Sequence, residues 1–214
     1  MTNKYASLSL GTIEAVFNKL GGLEAADKFL RDELTVSEPA RRFRIEGGVI
    51  YFTLPATDGT TGPQWIDRLE KKGFRLSKWS KDVLNSPAFK PTTGIVREIA
   101  VLKGMLFEDN DRTTKNVRAK ADTLGFKHGK DISPEIACQI REMFTDKEIE
   151  EMGLIWITTM HEPIKDSGGA LSLLDADRRD DGLWLNAYYV YPDFRWDREG
   201  GFAVVVSQVV LDPK

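Results

Sequence analysis

The most constraining feature of the sequence is an uninterrupted apolar run near its C-terminus. Phe202 and Ala203 are followed by three valines, with no polar side chain among the five. A strand without polar alternation is typical of a sheet that is covered on both faces. We therefore predict that Phe202–Val210 is a central, buried strand. At roughly 150 residues per domain, the 214-residue chain is one large domain, or one domain with a small appendage.

Composition and charge exclude several classes of protein. The net charge of −3 gives no overall attraction to nucleic acid or to an anionic membrane. The single cysteine, Cys138, excludes an internal disulfide framework and a cysteine-rich zinc site. No apolar run approaches the ~20 residues of a membrane span, and no secretory leader pattern opens the chain. We expect a cytoplasmic protein without a membrane span, and export by another route stays open.

Periodicity and turn residues predict an α+β chain. Residues 12–34 predict two short helices that meet at Gly21-Gly22, and residues 43–54 predict a hairpin that turns at Gly47-Gly48. Further helices are predicted from Pro63, over 78–85, and after Asp111, Pro134 and Thr145, and further strands over 93–103, Leu154–Met160 and Leu171–Leu174. A boundary near residues 34–42 divides the chain into an N-terminal helix pair, 1–36, and a main domain, 37–214.

Two groups of residues suggest alternative functions. His161 and Glu162 follow a predicted strand, with Asp166 close by, so a metal-assisted hydrolytic enzyme is one alternative; the HExxH spacing is absent. The N-terminal helices and the basic stretch Arg112–Lys130 suggest a nucleic-acid-associated protein. Acidic residues dilute both of these regions, so we expect no nucleic-acid partner.

Two acidic segments suggest a cation site, because clustered oxygen atoms are what calcium prefers. They are residues 108–111 and the segment that carries Asp175, Asp177, Asp180 and Asp181. Neither has the spacing of an EF-hand loop, and Arg178 and Arg179 interrupt the second. We predict solvated turns at both, with no bound metal and no cofactor.

The segment 182–201 concentrates aromatic side chains. Its aromatic residues are Trp184, Tyr188, Tyr189, Tyr191, Phe194 and Trp196. They keep neither the alternation of a half-buried strand nor helical spacing, and Pro192-Asp193 predicts a turn among them. Tyrosine and tryptophan give a large, rigid contact area and accept polar partners at their tips. This composition indicates an aromatic binding loop.

The pattern DGxWLNAxYxxPDxRWxRxxGFAxVVSQV, from Asp181 to Val209, resembles the variable proteins of diversity-generating retroelements. The closing segment also resembles C-type lectin-like domains of the formylglycine-generating type, although one cysteine excludes the cysteine pair of those enzymes. The resemblance implies a C-type lectin-like fold with a helical N-terminal extension. It also implies a surface diversified at adenines of selected codons, usually asparagine codons, that binds a protein or a cell-surface ligand. The chain would not be an enzyme.

The resemblance also assigns roles within the segment. The variable, ligand-binding positions, expected to lie exposed on one contiguous face, are Asn186, Tyr188, Tyr189, Val190, Tyr191, Asp193, Phe194 and Asp197. The scaffold positions, expected to hold the segment by packing and hydrogen bonds, are Trp184, Arg195, Trp196 and Phe202.

Overall fold

The structure, a computed structural model, describes residues 9–35, 41–179, 182–191 and 194–211. Its contacts divide the chain into two units, Met1–Arg41 and Arg42–Lys214. The division falls inside the segment 34–42 that the sequence indicates. Residues 36–40, where the predicted boundary lies, are outside the described part of the chain.

The N-terminal unit contains the predicted helix pair, α1 Leu10–Leu20 and α2 Leu23–Leu30. The Ser9 side chain accepts a hydrogen bond from the Thr12 N–H at the start of α1, and Gly21 ends the helix in the left-handed region, with φ of 104°. Ala26 is the single buried residue of the two helices. The pair therefore builds almost no core of its own.

The C-terminal unit is built on one mixed sheet. Its strands are β1 Arg44–Glu46, β2 Val49–Leu54, β3 Arg75–Leu76, β4 Ile95–Lys103, β5 Trp156–Thr159, β6 Ile164–Lys165, β7 Leu171–Arg179, β8 Gly182–Tyr189 and β9 Gly200–Val210. Their order across the sheet is β1-β2-β4-β9-β5-β7-β8-β3, and β6 pairs with β7 at the side. The pairs β5–β9 and β3–β8 are parallel, and the others are antiparallel. The predicted mixed α+β class is confirmed.

Among the described residues, five α-helices accompany the sheet: α3 Gly62–Lys71, α4 Lys78–Leu84, α5 Thr114–Thr123, α6 Glu135–Met143 and α7 Asp146–Glu151. Pro63 lies in the first turn of α3, as predicted. The predicted capping box begins α7, where the Thr145 hydroxyl and the Glu148 carboxylate each accept a hydrogen bond from the other residue's backbone N–H. None of the described helices combines the length and the apolar composition needed to cross a membrane.

The predicted central strand is confirmed for β9. It lies between β4 and β5, and Phe202, Ala203, Val204 and Val205 are fully buried. Beyond Val206 the strand becomes exposed, and the last two valines of β9 are more than half exposed. The apolar run therefore marks the buried half of the strand, and the exposed half that follows leaves the core.

Two sequence predictions about the C-terminal half are wrong. The aromatic segment is a strand over Gly182–Tyr189, not a loop; alternation is lost because side chains on both faces of β8 are covered. The strand predicted at Leu171–Leu174 extends to Arg179, so Asp175 and Asp177 lie inside it and are buried, not in a solvated turn. Asp180, Asp181 and the predicted turn at Pro192-Asp193 lie outside the described residues.

Candidate functional site

Strand β8 divides the candidate binding residues between the two faces of the sheet. Successive side chains of a strand point to opposite faces. Tyr188 contacts the ring of Trp196 on one face, while Tyr189 contacts the ring of Trp79, from α4, on the other. The expectation of one contiguous face is therefore wrong for this segment.

The α4 side of β8 carries three neighbouring aromatic rings. The Tyr189 centroid lies 5.9 Å from that of Trp79 and 6.1 Å from that of Tyr191. Tyr191 is 58% exposed, and Lys78 lies over the Trp79 ring. Leu185 and Ala187, on the same side of the strand, are buried in a core cluster with Trp65 and Leu69. The three rings thus extend from a packed base. Trp79 is a member of this aromatic group that the sequence did not indicate.

The opposite face of the sheet holds a row of polar side chains. The register places Thr158 of β5 opposite Asp175 of β7, and Asp175 opposite Asn186 of β8. Two residues along the strands, and so on the same face, Trp156 lies opposite Asp177, and Asp177 opposite Trp184. Side chains directly opposite one another share a face, with Cβ atoms about 4.5–5.5 Å apart. Two carboxylates, a hydroxyl and an amide therefore share this part of the sheet.

Aromatic rings border the polar row. The Trp196 centroid lies 5.3 Å from that of Trp156 and 6.2 Å from that of Tyr188, and Phe194 packs edge-on against it at 4.8 Å. The Trp196 indole N–H donates a hydrogen bond to the Thr114 hydroxyl at 3.0 Å. Trp196 thus spans from β5 to β8 on this face and is held in place from α5.

Gly200 is required by the position of Trp156. A Cβ atom at residue 200 would lie 1.9 Å from the Trp156 ring, so only glycine lets the indole lie against β9. The same ring contacts Phe202 at 5.6 Å. Trp156 is therefore fixed between β9 and Trp196, and its indole forms a rigid wall beside the polar row.

Asp175 is fully buried, and neither of its carboxylate oxygens has a hydrogen-bond partner among the described residues. The Thr158 hydroxyl opposite it is also buried without a partner. Burial raises the pKa of Asp175 well above its usual value, and the neighbouring Asp177 raises it further. Native proteins pair nearly all buried polar groups, and Asp175 is the one carboxylate among the described residues with both oxygens buried and unpartnered.

Asp177, two residues along the same strand, has partners. Arg179 donates to its carboxylate at 2.5 Å, and the Asn186 side chain also hydrogen-bonds it. The Asn186 amide oxygen in turn accepts the Ala187 N–H at 2.9 Å. Burial still raises the pKa of Asp177. Arg179 is therefore engaged by Asp177, and no residue in the described part of the chain donates a hydrogen bond to the Asp175 carboxylate.

The structure places the predicted variable positions in unlike environments. Tyr191 and Asp197 are exposed. The expectation that Asn186 lies exposed is wrong, because its side chain is 8% exposed and hydrogen-bonded to Asp177 and Ala187. The half-buried positions are Tyr188, Tyr189, Val190 and Phe194, and all of these except Tyr189 pack against the main core. Asp193 lies outside the described residues.

The predicted scaffold positions also differ from one another. Trp196 and Phe202 are buried, as expected. Trp184 is half-buried, with the guanidinium groups of Arg75 and Arg179 over its ring. Arg195 is exposed, which corrects the expectation, and its backbone forms an isolated bridge to Thr113 at the start of α5.

The residues of the alternative enzyme do not converge. His161 is fully buried; its Nδ1 lies 2.7 Å from the Glu162 carbonyl oxygen and its Nε2 accepts the Leu174 N–H at 3.0 Å. Burial lowers the pKa of His161 to about 4. Asp166 accepts hydrogen bonds from the Gly168 and Ala170 N–H groups within a turn, and the Glu162 side chain is exposed. Both ring nitrogens and the Asp166 carboxylate are thus used structurally.

The basic stretch is also partly used inside the molecule. Arg112 donates to the Trp196 carbonyl at 2.9 Å and to Asp109 at 2.8 Å. Arg118 donates to the His161 carbonyl at 2.8 Å. Two of the cations that suggested a phosphate-binding face are therefore held by internal acceptors.

The described residues contain no group of three or more His, Cys, Asp or Glu side chains arranged to hold a metal ion. Cys138 is buried in the core, and burial raises the pKa of its thiol. Comparison with protein-family models, with curated proteins and with solved structures found no match to this chain.

Proposed function

We propose that the chain is a ligand-binding protein whose segment 182–201 presents a variable surface on a C-type lectin-like scaffold. Its target is a protein or a cell-surface ligand, as in the variable proteins of diversity-generating retroelements. The single observation that carries the proposal is the contrast between anchored and exposed side chains within one short segment. Leu185, Ala187 and Trp196 are buried, while Tyr191 and Asp197 are exposed.

This contrast suits a surface whose residues change while the fold persists. Substitutions at exposed positions usually alter stability by no more than about 0.5 kcal/mol. Truncation of a buried tryptophan or phenylalanine costs about 3–5 kcal/mol. A scaffold anchored at Trp196 and Phe202 would therefore tolerate many side chains at positions 191 and 197.

The topology supports the proposed scaffold. A C-type lectin-like reading requires the last strand to lie inside the sheet, and β9 lies between β4 and β5. The three helices α5, α6 and α7 fall between β4 and β5 along the chain, and β5, β7 and β8 then form an antiparallel set. An edge position for β9 would have argued against this fold.

Three aromatic rings, one exposed and two half-buried, supply a reason for a partner. Tyr191, Tyr189 and Trp79 form a continuous aromatic group on the α4 side of β8. Aromatic surface left in water forgoes about 25 cal/mol for each Å² that a partner would cover. Tyrosine and tryptophan are also the residues that most often dominate binding interfaces.

Sequencing the gene from many cells of one population tests the proposal. We expect amino-acid differences to concentrate at the codons of residues 186–197, with Trp196 and Phe202 constant. We also expect a second copy of this coding segment, differing at adenines, beside a reverse-transcriptase gene. An invariant segment with neither neighbour would overturn the proposed function.

A further inference from the structure

The buried face of β7 contains side-chain oxygens that no described residue hydrogen-bonds. Both oxygens of Asp175 and the hydroxyl oxygen of Thr158 are enclosed, and none has a hydrogen-bond partner among the described residues. The two side chains lie directly opposite each other on adjacent strands. Cβ atoms in such a pair are about 4.5–5.5 Å apart, a gap across which one nitrogen atom can bond to both side chains.

The charges of Arg179 and Arg141 act on Asp175 through space, without a hydrogen bond to its carboxylate. Asp175 and Asp177 lie on the same side of β7, and Arg179 forms its ion pair with Asp177. A buried carboxylate without a partner is costly, and proteins usually supply a cation or a hydrogen-bond donor for it. Arg141 comes from the α6 side of the sheet, where it donates to the Asp177 and Phe144 carbonyls. It does not hydrogen-bond the Asp175 carboxylate.

The walls of this face are aromatic. Trp156, Trp196 and Tyr188 form a chain of ring contacts at 5.3 and 6.2 Å beside the polar row. The electron-rich faces of such rings attract cations. Tyr188 is half-buried and Arg179 is exposed, so these two residues form the border between the enclosed acceptors and solvent.

We propose that the Asp175 face binds a primary ammonium group at the end of an alkyl chain, such as that of a lysine side chain. The ammonium nitrogen donates its three N–H bonds to the two Asp175 oxygens and to the Thr158 hydroxyl. The methylene groups of the ligand lie along Trp196 and Tyr188.

The number of acceptors selects this ligand among cations. A primary ammonium has three donors, which matches the three unpartnered oxygens. A guanidinium has five donors in a planar fork and would leave donors unpaired here. A quaternary ammonium has none and would leave the carboxylate without a hydrogen bond. A calcium ion takes six to eight oxygen ligands, and the described residues hold no metal-binding group at this face.

This inference rests on the proposed function in one respect. Tyr188 and Asn186, which border the site, belong to the segment that we propose as the ligand-binding surface. The inference adds the chemical class of the group that the ligand presents. The ammonium belongs either to a polypeptide lysine or to a free amine.

Isothermal titration calorimetry with two amines at pH 7 tests the inference. Nα-acetyl-lysine N-methylamide represents the side chain of a polypeptide, and n-butylamine represents a free amine. The neutral counterparts are Nα,Nε-diacetyl-lysine N-methylamide and n-butanol. We expect saturable one-site binding of both amines, and at least ten-fold weaker binding of the neutral compounds, because the charge-assisted bonds are lost.

Isosteric variants locate the binding. Asp175→Asn should weaken amine binding by at least ten-fold, and Thr158→Val by about three- to ten-fold, since one neutral hydrogen bond is removed. Asp67→Asn, at an exposed carboxylate that pairs with Lys71 on α3, is the matched control and should leave binding unchanged. If Asp175→Asn does not fold by circular dichroism, Thr158→Val carries the test.

The outcomes separate the possible sources and the possible failures. Tighter binding of the lysine derivative supports a polypeptide ligand, and tighter binding of butylamine supports a free amine. The inference is overturned by an absence of saturable binding, by equal binding of n-butanol, or by tighter binding of methylguanidine. Binding that survives both Asp175→Asn and Thr158→Val overturns it as well. These failures leave the gene-sequencing test untouched, whereas an invariant gene with intact amine binding overturns the proposed function alone.

Discussion

Two buried carboxylates in the C-terminal unit differ in their hydrogen-bond partners. Arg97 and Glu135 are 3% and 1% exposed, and Arg97 Nη1 donates to Glu135 at 3.1 Å. The Thr92 hydroxyl and backbone N–H both donate to Glu135 as well. Asp175 is as deeply buried, yet it has no donor among the described residues.

The difference indicates which buried carboxylate finds its hydrogen-bond partners within the fold. Glu135 has its cation and its donors in the fold, so the cluster contributes to holding α6 against β4. Asp175 has an aromatic border and a second carboxylate beside it, and none of the described residues hydrogen-bonds its carboxylate. A buried acceptor that the fold does not satisfy is a candidate for a ligand contact.

Glu135→Ala should produce a large loss of stability. It removes the partner of buried Arg97 and leaves that charge uncompensated, which typically costs about 3–5 kcal/mol. Urea unfolding monitored by circular dichroism measures the loss. Glu98→Ala, which removes a partner of the half-exposed Arg44, is the control and should cost about 1 kcal/mol or less. Similar small losses in both variants would contradict the distinction between a buried and a surface pair.

Trp196→Ala should cost about 3–5 kcal/mol, because it empties the space beside Trp156, Tyr188 and Phe202. Tyr191→Ala, at an exposed ring, should change stability by no more than about 0.5 kcal/mol. Thermal unfolding of both variants checks the pair. A large loss for Tyr191→Ala would place that ring in the core and remove it from the proposed surface.

The pH dependence of stability should report His161. Its pKa is lowered to about 4 in the folded chain, so below the ordinary value of 6.5 the unfolded chain binds the proton more readily. Stability from this group is therefore complete above pH 6.5 and declines as the pH falls to 4, by about 3 kcal/mol. Urea unfolding between pH 7 and pH 4 measures the decline, and His161→Gln should remove most of it. An equal decline in the variant would assign it to other groups.

Asp175→Asn should have an effect opposite in sign to that of Glu135→Ala. The pKa of Asp175 is raised, so the folded chain keeps this proton to a higher pH than the unfolded chain does. Its contribution is therefore favourable below the unfolded value and is lost as the pH rises through the folded one. At pH 7 we expect the asparagine variant to be at least as stable as the natural chain. A loss comparable to that of Glu135→Ala would mean that Asp175 has a structural partner.

Local signals predicted much of this fold. The glycine pairs at 21–22 and 47–48, the capping box of α7 and the apolar run of β9 each specify an element within a few residues. Strand β8 escaped prediction because both of its faces are covered, which removes the alternation that identifies a half-buried strand. The signals for the helices and for β9 lie within the sequence of each element, whereas β8 has none and depends on its cover by α4 and Trp196.

The candidate site was harder to predict than the fold. Asp175 and Asp177 resemble a solvated turn in sequence because acidic residues are seldom fully buried. Their burial follows from the pairing of β7 with β5 and β8, which no local pattern encodes. Thr158 and Trp156 complete the site from a strand nearly twenty residues earlier in the chain. Pairing across the sheet, rather than spacing along the chain, brings these residues together.

The pKa of the Asp175 carboxyl, measured by carbon-detected nuclear magnetic resonance with and without n-butylamine, tests the account most directly. In the free protein we expect a pKa raised well above the usual value, because the carboxyl is buried and no described residue hydrogen-bonds it. At saturating amine we expect a clear fall of that pKa, since a bound ammonium stabilises the carboxylate. An ordinary pKa in the free protein, or a raised pKa that the amine leaves unchanged, would contradict it.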